Sequence, residues 1–117
     1  MEIEFGNSDE LLNRIGQLKL TDSFLFQIEK DFALANVAFQ LPKDIGDNDL
    51  LTMIKEKVYY LIMEWFDQYL NLLYIVDVPE NEFRKIEAND AVDVAEQVTF
   101  LIIKREFQKV WFKKKYN

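Results

Sequence analysis

The side chains best placed for chemistry are two carboxylate pairs, Glu64-x-x-Asp67 and Asp93-x-x-Glu96, and a basic, aromatic C-terminal run from Lys104 to Tyr116. Acids three residues apart share one side of a helix, and two such pairs on antiparallel helices can chelate Mg²⁺ through oxygen ligands. That arrangement would serve a metal-dependent hydrolase. The C-terminal run offers a different chemistry. Arg105, Lys109, Lys113, Lys114 and Lys115 could neutralise phosphates while Trp111, Phe112 or Tyr116 stacks on bases, as in single-strand binders. The same residues could rest on an anionic membrane surface.

Neither chemistry is well supported by its surroundings. The two acidic spacings resemble those with which all-helical nucleotide pyrophosphohydrolases hold their metal, but the denser glutamate cluster of that family is absent ahead of them. Both pairs also fall on the polar side of their helices, which predicts solvated surface. The lysines near a helix C-terminus complement the helix dipole without any ligand, and the rest of the chain repels polyanions: residues 1–103 hold twenty acids and eight bases, whereas 104–117 hold six bases and one acid. Binding to nucleic acid and to membranes is therefore not expected.

The remaining inventory excludes much else. The chain has no Cys and no His, which removes thiol nucleophiles, disulfides, Cys/His metal sites, a Ser-His-Asp triad and the Glu-x-x-His motif of di-iron proteins. Ser8, Ser23, Thr21, Thr52 and Thr99 are the whole hydroxyl supply apart from tyrosine, and Gly6, Gly16 and Gly46 stand too far apart for a phosphate-binding loop. No catalytic residue, metal ligand or cofactor is assigned, and no enzymatic activity is expected. The longest central apolar run, Val58 to Met63, is too short to span a bilayer, and the acidic N-terminus lacks a signal pattern, so the cytoplasm is the expected location.

The 117 residues suit one domain, 50% hydrophobic and poor in Gly and Pro. Hydrophobic periodicity predicts an all-α fold, a small bundle of four to five helices with two long ones. Asn7 or Ser8 should cap a helix to Leu18. Thr21 or Asp22 should cap a second to about Phe39. Asp47 or Asn48 should start a long helix to about Tyr74, Asp77 with Pro79 a short one to about Glu87, and Asn89 or Asp90 the last, to about Lys114. An α+β alternative would place short strands at Glu2–Phe5, Val37–Leu41 and Tyr74–Val78.

Two places carry more apolar surface than one small core can use. On the long central helix, Leu51, Ile54, Val58, Leu61, Trp65 and Tyr69 form a core stripe, and Tyr59, Met63, Phe66, Leu70 and Leu73 form a second beside it. On the last helix, Ala91, Val94, Ala95, Val98, Leu101 and Ile102 mark one side, but Ile103, Phe107, Val110 and Trp111 point roughly 160° away on a straight helix. The helix should bend near Ile103, change packing environment within the fold, or present its second half to another chain. The expected function is a non-enzymatic interaction protein, a homo-oligomer or a subunit bound to a protein partner. Tyr59, Met63, Phe66, Leu70, Phe107, Val110 and Trp111 are the candidate contacts.

Overall fold

In the computed structural model, which describes residues 7–116, the chain is all-α. Six helices and no strand occur among the described residues: α1 (Ser8–Gln17), α2 (Thr21–Leu34), α3 (Asp47–Glu64), α4 (Phe66–Val76), α5 (Glu80–Arg84) and α6 (Ala91–Tyr116). One buried apolar cluster draws on α1, α2, α3, α4 and α6. Helix α6 packs against all five of the others, and most extensively against α3.

Local chemistry explains most boundaries. Asn7 accepts a hydrogen bond from the Glu10 N–H at 2.9 Å and caps α1, while the Asp90 carboxylate accepts from the Asp93 N–H at 2.9 Å at the start of α6. Three helices end on non-glycine residues in the left-handed region: Lys19 (φ 58°), Asn36 (φ 61°) and Asp77 (φ 69°). Each is followed by a backbone N–H that reaches back to the last turn: Leu20 to Ile15 O, Val37 to Phe32 O and Val78 to Leu73 O.

Several expected boundaries are corrected. The second helix stops at Leu34, short of Phe39, because Asn36 turns the chain, and Phe39 instead stacks on Phe32 with ring centroids 4.5 Å apart. Its start is capped by neither Thr21 nor Asp22; Leu20 occupies that position without a side-chain cap. Asp77 ends α4 and does not open α5, which runs only from Glu80 to Arg84 after Pro79. Of the alternative strands, residues 37–41 form no regular element and 74–78 end a helix. Residues 2–5 lie outside the described residues.

The expected long central helix is two helices. Trp65 (φ −140°, ψ 63°) leaves the helical region and turns α4 away from α3. Neither Gly nor Pro causes the break. The compensation is tertiary, since the turned α4 buries Tyr69, Leu72, Leu73 and Val76, and its Asn71 and Gln68 amides donate to the C-terminal carbonyls of Ala35 and Asn36 at 3.3 and 3.5 Å. Those two bonds satisfy carbonyl groups that the end of α2 leaves open.

The last helix neither breaks at Ile103 nor reverses its face. It buries Ala95, Val98, Thr99, Ile102, Ile103, Glu106, Phe107 and Val110, an uninterrupted three-and-four spacing. A strict three-and-four repeat drifts about 20° per seven residues around an α-helix, so its ends differ in direction without any break. The reversal read from sequence arose because Thr99 and Glu106, both polar, occupy two positions of the stripe. Phe107 and Val110 are thereby enclosed in the chain's own core and offer nothing to a partner.

Candidate functional site

The interface candidates divide sharply. Tyr59, Met63, Phe66 and Leu70 are exposed around the α3–α4 junction; Phe107 and Val110 are buried, and Trp111 is half-buried. The break at Trp65 adds that residue to the exposed group. Had α3 continued straight, Trp65 would have followed Leu61 onto the core stripe; instead it is 53% exposed. Its indole N–H donates to the Tyr60 hydroxyl at 2.8 Å. Phe66, also 53% exposed, begins an i, i+4 row with Leu70 and Tyr74 along α4. Tyr60 and Met63 form the corresponding row on α3, and the two rows meet at Trp65.

This surface is aromatic and acidic. From Val58 to Phe83 the chain carries no Lys or Arg, whereas the exposed acids Glu64 and Asp67 flank Trp65 and Phe66. Lys57, at the α3 edge, lies over the Tyr60 ring with its ammonium 5.8 Å from the centroid. Scattered exposed apolar residues are ordinary, whereas here six large ones follow one another across the turn between two helices.

The anion-contact candidates are largely engaged within the fold. The Arg105 guanidinium donates to the Asp77 carboxylate and backbone carbonyl, both at 3.0 Å, and so closes the C-terminus of α4. Lys109 donates to Asp31 Oδ2 at 2.7 Å and to Ile75 O at 3.3 Å. Lys113 donates to Gln27 Oε1 at 2.9 Å. Lys114 and Lys115 extend from the last turn of α6, where Lys115 lies 4.7 Å from the Trp111 centroid. The five cations therefore do not form one open binding strip.

Lys109 belongs to a polar cluster that locks α6 to α2. The Gln27 amide donates to both oxygens of Asp31 at 3.2 and 3.1 Å, and the Lys109 ammonium stands 3.4 Å from Glu106 Oε1. Glu106 has no exposed surface, and neither of its oxygens has a hydrogen-bond partner of ordinary geometry. Burial drives its carboxyl up, the Asp31 carboxylate beside it drives it further, and it reaches about 9, so at neutral pH Glu106 is uncharged. Burial pushes Asp31 up as well, but the protonated Glu106 carboxyl beside it and the hydrogen bonds from Lys109 and Gln27 together hold it below its ordinary value. The cluster is thus one neutral acid beside one carboxylate–ammonium pair.

The two acidic pairs do not come together as one site. Glu64 and Asp67 sit on either side of the α3–α4 break, whereas Asp93 and Glu96 both line a cleft of about 640 Å³ with Lys55, Glu82, Lys85, Gln97 and Phe100. Asp93 is committed to structure there, accepting from the Asn89 N–H at 3.4 Å and from the Gln97 amide at 3.2 Å. No group of three or more acids suited to holding a metal occurs among the described residues. No described helix is long and apolar enough to cross a membrane.

No protein-family model matches the chain, and comparison with the curated proteins and the solved structures finds no match. Sequence reasoning missed Tyr60, Trp65 and Tyr74 on the exposed surface and the Asp31–Glu106–Lys109 cluster beneath α6. Trp65 falls on the core stripe only for an unbroken helix. The signal for the cluster was Glu106 itself, an acid spaced three and four residues from the buried Ile103, Ile102 and Val110.

Proposed function

We propose that this protein is a non-enzymatic interaction module whose docking face is the aromatic surface at the α3–α4 junction, centred on Trp65 and Phe66. The observation that carries this reading is the break at Trp65. It adds Trp65 to an exposed group that also holds Tyr60, Met63, Phe66, Leu70 and Tyr74, six of the large apolar side chains left outside the buried core. Aromatic residues and Met are among the types enriched where protein surfaces meet, and the aromatic rings bury much area at the cost of few rotatable bonds.

The test compares the full chain with Met63→Glu/Phe66→Glu, positions already exposed. Light scattering at high concentration should show self-association, or affinity capture should recover a partner, that the double variant loses while its thermal unfolding stays near wild type. A chain that is monomeric at high concentration and captures nothing in a face-dependent way would contradict the reading.

A further inference from the structure

The C-terminal end of α6 is built differently from the rest of that helix. Its last buried residue is Val110, yet the helix continues to Tyr116, and residues 112–116 are all exposed. Phe112 and Tyr116, four residues apart, stack with ring centroids at 5.9 Å, and Phe112 meets the Trp111 ring edge-on at 5.6 Å. Lys115 lies over both Trp111 and Tyr116, at 4.7 and 5.6 Å. The helix therefore ends in a short projecting peg, aromatic on one side and cationic.

The peg has the opposite charge to the docking face. Lys104, Arg105 and Lys109 pair with Glu82, Asp77 and Asp31, and Lys113 bonds to Gln27. Lys114 and Lys115 have no acidic partner among the described residues. By contrast, the exposed aromatic group at Trp65 carries Glu64 and Asp67 in a stretch, Val58 to Phe83, without a single base. Two identical chains of net charge −7 repel one another in most orientations. The orientation that sets the basic peg against the acidic aromatic face reverses that sign.

Resting on the docking face proposed above, we propose that its occupant is the C-terminal peg of a second copy of this chain. Phe112 and Tyr116 of one copy lie on the Tyr60, Trp65 and Phe66 surface of the other, with Lys114 and Lys115 opposite Glu64 and Asp67. A two-fold axis makes the contact reciprocal, so each chain contributes one peg and one face and the assembly closes as a dimer. Reciprocity matters because a five-residue peg alone falls short of the roughly 800 Å² per partner that a stable interface buries. The lysines set orientation and encounter rate, and the rings supply most of the buried area.

The experiment measures the dimer dissociation constant of the full chain by sedimentation, with Lys114→Glu/Lys115→Glu, Glu64→Lys/Asp67→Lys and the quadruple combination alongside. Wild type should dimerise at low ionic strength and weaken in about 1 M salt, where the screening length falls to about 3 Å. Each double charge reversal should weaken the dimer about tenfold or more, about 1.4 kcal/mol, and the quadruple variant should recover it. Recovery is the outcome that loss of folding cannot imitate. A dimer indifferent to both reversals but lost in Met63→Glu/Phe66→Glu would overturn the peg as occupant and leave the docking face standing. A monomeric wild type would overturn the peg in the same way, and face-dependent capture of another protein would then show that the docking face survives without it.

Discussion

Helix α6 carries a carboxyl, that of Glu106, with no exposed surface and no hydrogen-bond partner of ordinary geometry for either oxygen. Glu106 is fully buried beside Asp31 and Lys109, where a charged side chain survives only with a partner. Removing that partner should be severe. Lys109→Met leaves the Asp31 carboxylate without its ammonium, and urea unfolding should show a loss of about 3–5 kcal/mol. The pH response follows from the direction of each shift. Glu106 sits at about 9 in the fold against 4.5 when exposed, so its stabilising contribution is complete below about pH 4.5 and is lost as pH rises through about 9. Asp31 acts oppositely, its contribution being present above 3.8 and lost as acid protonates it. The urea midpoint should therefore fall between about pH 6 and about pH 9.5, and Glu106→Gln, which is neutral throughout, should flatten that decline.

At the scale of elements, helix ends decide the architecture. Lys19 holds the left-handed conformation that closes α1, a geometry costing an L-residue about 1–2 kcal/mol. Its side chain is exposed, so Lys19→Gly should raise the thermal midpoint, corresponding to about 1 kcal/mol of added stability. These ends also show how far the sequence could be read. The capping residues Asn7 and Asp90 and the core residues Ile54, Val58 and Leu61 were legible because their signals are local. The ends at Asn36 and Asp77 were not, since neither position carries the glycine that announces such a turn. The break at Trp65 was hidden for a stronger reason: its compensation lies in α2, whose carbonyls Asn71 and Gln68 reach only after the chain has turned. Half of the candidate contact surface followed from periodicity, as with Met63, Phe66 and Leu70. Phe107 and Val110 were misplaced because the polar Glu106 interrupts the stripe to which they belong.

At the scale of the whole molecule, the large apolar side chains divide between a buried core and several exposed places, of which the α3–α4 junction and the end of α6 hold the aromatic groups. The core residues hold the helices together around α6, whereas the row through Met63, Trp65, Phe66 and Leu70 adds little to the stability of one chain and faces outward. Under the proposed function this outward row joins the protein to another protein surface, in the fullest form a second copy of itself. The most direct measurement is the concentration dependence of molar mass by light scattering for wild type and Phe66→Ser, with urea unfolding of both. The predicted result is a wild type that passes from monomer to dimer with concentration and a Phe66→Ser chain that stays monomeric, their unfolding free energies agreeing within about 1 kcal/mol, as for an exposed site. A wild type and variant with the same molar mass at every concentration would contradict dimerisation through this surface.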